Sequence, residues 1–282
     1  MGHGTRTLIS KVQNMSRINI GELSLNYHEV GSGEPILFIP GMMGLLEAWK
    51  FQMEYFSDRY RCISFDHRGT GESDKPPNAY STDFVAKDAI SLLDSLGIER
   101  AHVIGTSTGG CILQVMAIDY PERLLSATFN NTWTTADAYI RRVQTFRQKI
   151  AKTYGPEEYV EFSSLWTCGP LQFRYGWEEL ERLEARQKKT IAPVDVLIGR
   201  LQMSIDHNRV SDLHKITTPS LIIGTKDDST VPAYLSEDLA KAINNSELVL
   251  LNEGGHYSYR YNPTGFNNAF EPFLIKNSTK GK

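Results

Sequence analysis

The stretch Ala101–Gln114, AHVIGTSTGGCILQ, decides the fold. Apolar Val103-Ile104 leads into Gly105-Thr106-Ser107-Thr108-Gly109. A second glycine, Gly110, follows, and Cys111 to Tyr120 is apolar and long enough for a helix. The order is strand, tight turn, helix, with a serine at the apex. So tight a turn drives its central residue into a strained backbone conformation, and the residues packed around it must lack a Cβ. Gly-x-Ser-x-Gly is the spacing of a nucleophile elbow. It places Ser107 as an exposed turn residue at the top of a sheet and the N-terminus of a helix. Free N–H groups and the helix dipole there favour a developing negative charge.

Outward from the elbow, the chain alternates strand and helix. Ile18–Val30 shows period-2 alternation broken near Gly21-Glu22 and reads as an N-terminal hairpin. Ile36–Ile39 and Tyr60–Phe65 are short apolar runs, the pattern of strands buried on both faces. Trp49–Phe56 reads as a helix. Ser81–Leu96 is an amphipathic helix with Ser81 or Thr82 as N-cap and Gly97 at C′. Leu125–Asn130 is a further strand. From Thr134 to His207 no convincing strand occurs, and helices are expected near 136–154, 177–190 and 193–206. Alternation then resumes with strands at Leu221–Ile223 and Leu248–Leu251 and helices at Leu235–Ile243 and Phe266–Leu274. The fold class is therefore α/β, a mainly parallel twisted sheet with helices on both faces. Residues 1–133 and 208–282 form the core, and 134–207 form an inserted helical cap.

Composition narrows the function classes. A net charge of −3 with both signs mixed, and no basic patch, argues against nucleic acid. No apolar run approaches a membrane span, and the N-terminus lacks a signal-peptide pattern. Cys62, Cys111 and Cys168 are too few and too scattered for a disulfide framework or a zinc cluster. The expectation is a cytoplasmic protein, monomer or homodimer, acting on a small molecule without membrane or nucleic-acid partners.

A serine hydroxyl is a poor nucleophile until a base takes its proton, and the base must be oriented by an acid. With an elbow serine the chain order is Ser, then Asp or Glu, then His. Of seven histidines, only His256 follows the last strand, in Asn252-Glu253-Gly254-Gly255-His256. The acid belongs on the preceding loop, Gly224-Thr225-Lys226-Asp227-Asp228-Ser229-Thr230-Val231-Pro232, where either aspartate could serve. An oxyanion needs two backbone donors. Thr108, directly after the serine, offers one, and Met42 in Pro40-Gly41-Met42-Met43-Gly44 offers the other. This machinery requires no metal or cofactor.

These motifs, together with Asp66-His67-Arg68-Gly69-Thr70-Gly71-Glu72-Ser73, resemble those of the α/β-hydrolase superfamily, in the cap-bearing branch of esterases, lactonases and 3-oxoadipate enol-lactonase-like enzymes. The resemblance runs from about residue 18 to 275, the cap excepted. It implies a serine hydrolase of carboxylic esters or lactones working through an acyl-enzyme. In relatives the spacings from Pro219 and back from Pro232 point to Asp228 as the acid, while that from Gly224 points to Asp227. The Asp66–Ser73 loop is implied to be largely structural.

Three departures bear on substrate. Pro40 stands where many relatives carry histidine. The long glycine run of lipases is missing, and so is the double-glycine-proline pattern of carbon–carbon bond hydrolases. Ser107 stands where epoxide hydrolases and dehalogenases carry aspartate. The cap's aromatics suggest a pocket with Met43, Trp133, Trp166 and Trp177 in its wall, suited to a small or medium apolar substrate. The competing readings are an acyltransferase, a cofactor-free perhydrolase or haloperoxidase using the same triad, and a hydrolase-fold ligand receptor.

Overall fold

In the computed structural model, which describes residues 15–77 and 80–279, the chain runs in order through β1 (Met15–Asn19), β2 (Ser24–Val30), β3 (Glu34–Ile39), α1 (Lys50–Phe56), β4 (Tyr60–Phe65), α2 (Thr82–Ser95), β5 (Ala101–Thr106), α3 (Thr108–Asp119) and β6 (Leu124–Asn130). Five helices follow: α4 (Ala138–Tyr154), α5 (Pro156–Thr167), α6 (Pro170–Tyr175), α7 (Trp177–Thr190) and α8 (Val194–Asp206). The chain then returns through β7 (Ser220–Thr225), α9 (Ala233–Ala242), β8 (Glu247–Leu251), α10 (Ser258–Tyr261) and α11 (Pro263–Asn277).

The eight strands form one sheet in the order β1-β2-β4-β3-β5-β6-β7-β8. The β1–β2 and β2–β4 pairings are antiparallel, and every pairing from β4 to β8 is parallel. Parallel strands need crossover helices, and these cover both faces. The period-2 alternation of β3 shows the division. Leu37 and Ile39 join α2 and α3 residues such as Val85, Leu92, Ile112 and Met116 on one face. Ile36 and Phe38 join Trp49, Phe56, Phe266 and Phe270 on the other. Each fully buried side chain of this size contributes about 1.5–3 kcal/mol.

Helix ends follow local chemistry. Ser81 extends its backbone, and its hydroxyl accepts from the Phe84 N–H to cap α2. Gly97, at φ 66°, ends the same helix in the left-handed region. The insertion leaves and rejoins the sheet at one place, where Thr135 and Asn208 form a single antiparallel bridge. Among the described residues no helix is long and apolar enough to cross a membrane.

The sequence reading misses α5, α6 and α10. The miss at α5 has a physical cause. Its buried positions, Tyr159, Val160, Ser163, Ser164 and Thr167, fall on one helical face, but three of the five are serine or threonine. A helix that turns a polar face inward lacks the apolar stripe by which a sequence announces it.

Candidate active site

Ser107 sits between β5 and α3 at φ 54°, ψ −124°, a region costly for a residue with a Cβ. Its neighbours make room. A Cβ at Gly105 would meet the Gly109 carbonyl at 2.2 Å, one at Gly109 the Ile39 and Pro40 carbonyls at 2.4 Å, and one at Gly110 the Thr132 side chain at 2.5 Å. The strained turn is pinned on both sides. The Ser107 N–H donates to the Asn130 carbonyl at 2.9 Å, and the Thr132 hydroxyl donates to the Ser107 carbonyl at 2.7 Å. The expectation of an exposed serine is corrected: Ser107 is only 7% exposed, because the insertion turns the sheet top into the floor of a cavity.

His256 lines the same cavity. Its loop folds back through Gly254 at φ 125° and Gly255 at φ 58°. The Asn131 side-chain amide donates to the carbonyls of Gly255 and His256, at 3.2 and 3.1 Å. The buried Asp228 places Oδ2 2.8 Å from His256 Nδ1, while its Oδ1 accepts from the N–H groups of Thr230 at 2.7 Å and Val231 at 2.9 Å. A carboxylate in this position only accepts, so Nδ1 carries a proton, and in the neutral ring Nε2 is the nitrogen able to take one. Asp227 goes elsewhere. It accepts from the N–H groups of Gly255 at 2.8 Å and Gly254 at 3.2 Å, and so ties down the loop that carries His256. The sequence reading weighs Asp227 as an alternative acid and does not foresee this tie.

The loop after β3 crosses close to the serine: a Cβ at Gly41 would lie 3.2 Å from Ser107 Cβ. Neither the Met42 N–H nor the Thr108 N–H has a backbone acceptor among the described residues. Thr108 opens α3, so its N–H lies at the positive end of the helix dipole. In the Asp66–Ser73 loop, Asp66 accepts from the Asn26 side chain and the N–H groups of Leu46 and Glu72, which makes the loop a structural knot.

The cavity is partly open to solvent. Met42, Met43 and Leu45 line it, with Leu180, Tyr257 and Tyr259. The aromatic wall expected from the sequence is corrected. Trp133 is fully buried elsewhere, packed with Cys111, Ala136 and Ile140. Trp166 stacks on Phe162 inside the insertion. Trp177 is 46% exposed and stacks on Phe173. None of the three lines the cavity, whose wall is instead amphipathic, with Ser163, Ser164, Thr167 and the cations Arg147, Arg186 and Arg260. Arg186 pairs with Glu47, and Arg260 with Glu179 at 2.7 Å. Arg147 donates to the Tyr159 hydroxyl at 2.7 Å and to Ser163 Oγ at 3.2 Å. The signal for this wall was the run of hydroxyl residues at helical spacing in α5, outweighed in the sequence reading by the insertion's more conspicuous tryptophans.

A family model described as the alpha/beta hydrolase fold matches residues 34–263. A putative carbamate hydrolase RutD of Azorhizobium caulinodans is 33% identical over 247 residues, covering 88% of this chain and 93% of that one. An esterase from Thermogutta terrifontis superposes with a TM-score of 0.84 at 24% identity, covering 94% of this chain and 100% of the other. An enol-lactonase from Burkholderia xenovorans superposes with a TM-score of 0.84 at 21% identity, covering 92% and 100%. By sequence model and architecture together, the chain belongs to the α/β-hydrolase fold family.

Proposed function

We propose that this protein is a serine hydrolase of carboxylic esters or lactones. The observation that carries the reading is the His256 imidazole, fixed by Asp228 at Nδ1 and sharing one cavity with the strained Ser107. His256 Nε2 takes the proton as Ser107 Oγ attacks the substrate carbonyl. Asp228 holds the ring in the productive tautomer and stabilises the imidazolium that forms. The N–H groups of Met42 and Thr108 receive the oxyanion. Protonated His256 then protonates the leaving alkoxide. Water, deprotonated by the same histidine, hydrolyses the acyl-serine and regenerates the hydroxyl.

The insertion acts in this reading as a lid that shapes the substrate pocket. Methionine and leucine side chains beside the serine suit a small or medium acyl group. A carbamate ester presents the same carbonyl to the same nucleophile, and the name of the Azorhizobium relative puts it on the substrate panel. The test is a panel of p-nitrophenyl esters, lactones and carbamates of graded size, run with the wild type and Ser107→Ala. Turnover of at least one class by the wild type, lost in the variant, supports the reading; equal turnover by both proteins overturns it.

A further inference from the structure

Arg200 on α8 is 1% exposed. Taking a guanidinium out of water costs several kcal/mol unless charge or hydrogen bonds replace the solvent. Among the described residues no carboxylate lies within ion-pairing distance of Arg200. Its donors go to backbone instead: Nη2 to the Met42 carbonyl at 2.8 Å and Nη1 to the Arg68 carbonyl at 2.6 Å. His67 Nδ1 stands 3.4 Å from Nη2. Burial, and then the charge of Arg200, hold His67 well below the usual imidazole range, so its ring is neutral beside the cation.

The loops around Arg200 leave room for its side chain together with those of Thr70 and Tyr80. A Cβ at Gly44 would meet Arg200 Nη2 at 2.8 Å, and one at Gly69 would meet Arg200 Cδ at 3.0 Å. These two glycines lie in the loops after β3 and β4, so both loops open around an arginine that the insertion supplies. Met42 is held from a second direction as well. Its side chain packs with Ala151, Tyr159, Val160, Leu197 and Leu201, all residues of the insertion.

We propose that Arg200 is a positioning residue: by holding the Met42 carbonyl from the inserted helix, it sets the loop after β3 so that the Met42 N–H meets the oxyanion. This rests on the serine-hydrolase reading above. Backbone donors stabilise an oxyanion only when they are oriented in advance. A fixed cation in dry surroundings also adds long-range attraction for the developing negative charge. The oxyanion exists only in the transition state and the tetrahedral intermediate, so the effect falls on kcat rather than KM.

The experiment compares Arg200→Met, Arg200→Lys and Ser107→Ala on p-nitrophenyl acetate. It also measures inhibition by a trifluoromethyl ketone, which forms a tetrahedral oxyanion on the serine. Arg200→Met should lower kcat about 100-fold, the scale of one oxyanion donor, and weaken the ketone by a similar factor. KM should stay within about threefold. Arg200→Lys, which keeps the charge and can reach one carbonyl, should recover about tenfold of the loss, and it carries the test if the methionine variant does not fold. A folded Arg200→Met with wild-type kcat, or one affected in KM alone, overturns the proposal while an inactive Ser107→Ala leaves the serine reading standing. Full activity in Ser107→Ala overturns both.

Discussion

The protein holds two clusters of serine, histidine and carboxylate, at opposite ends of the same sheet. At the C-terminal ends of the strands are Ser107, His256 and Asp228. At the opposite ends are Ser126, His102 and Glu34, with His102 Nδ1 2.7 Å from Ser126 Oγ and Nε2 3.1 Å from Glu34 Oε2. Residue types alone do not separate them. Three physical differences do. Ser126 lies within strand β6, at a register irregularity against β5, whereas Ser107 occupies a strained turn whose next residue, Thr108, has no backbone acceptor for its N–H among the described residues. The lower histidine faces its acid with Nε2 and its serine with Nδ1, whereas the upper one faces its acid with Nδ1. The lower cluster is sealed, and Glu34 spends its oxygens on the C-terminal segment, where the Ser278 hydroxyl donates to it at 2.6 Å and the Thr279 N–H at 2.9 Å. One arrangement borders a cavity; the other ties down the Ser278-Thr279 segment.

Mutation should divide the clusters cleanly. Ser107→Ala is expected to lower kcat by several powers of ten without changing the unfolding midpoint much. Ser126→Ala should leave kcat within about twofold and cost about 1–2 kcal/mol of stability, the penalty for a buried imidazole nitrogen left without its partner. Steady-state kinetics and urea unfolding on the same preparations give both numbers. Loss of turnover in Ser126→Ala with intact folding would erase the distinction.

The adjacent aspartates sharpen the comparison within the upper cluster. Asp228→Asn should lower kcat by about four powers of ten, because an amide favours the wrong histidine tautomer. Asp227→Asn should cost about tenfold, through slackening of the Gly254-Gly255 segment that it ties down. The reverse ranking, measured on one good ester, would move the acid role to Asp227.

Much of this was legible in the sequence because covalent geometry writes it there. Gly105, Gly109 and Gly110 mark a turn in which any Cβ would collide with backbone or with Thr132. The short runs of β3 and β4, read as strands buried on both faces, state that both sheet faces are covered. The aspartates were harder, since two acids in a row differ only in which way the loop turns each. The pocket was least legible. Tryptophans attract attention by size, yet Trp133 and Trp166 serve packing, and the actual wall of Ser163, Ser164 and Thr167 resembles a solvated helix face until the tertiary structure encloses it. Arg200 was silent for a related reason: an arginine in a helix reads as surface, and only the glycines that admit it give it away.

A further expected effect lies in the lower cluster and concerns acid. Burial pushes the Glu34 carboxyl upward, but hydrogen bonds from Ser278, Thr279 and His102 outweigh it and hold the group at about 2, against an ordinary 4.5. A depressed carboxylate adds stability that is complete above the unfolded value and disappears as pH falls through the folded one. The contribution should therefore be full above about pH 4.5 and fade toward pH 2. Burial also keeps His102 below its ordinary 6.5, so protonation of the unfolded chain adds a loss of the same sign as pH falls. Urea unfolding of wild type and Glu34→Gln at pH 7 and pH 3 should show a gap of about 2 kcal/mol at neutral pH that narrows in acid. A gap that widens in acid would reverse the assignment.

The central claim is that one of the two serine clusters is a working nucleophile and the other is not. Treating the protein with a small fluorophosphonate and mapping the adduct by peptide mass spectrometry addresses it directly. The account predicts stoichiometric labelling of Ser107, none of Ser126, and none anywhere in Ser107→Ala. An adduct on Ser126 or any other serine, or undiminished labelling of the Ser107→Ala protein, would contradict it.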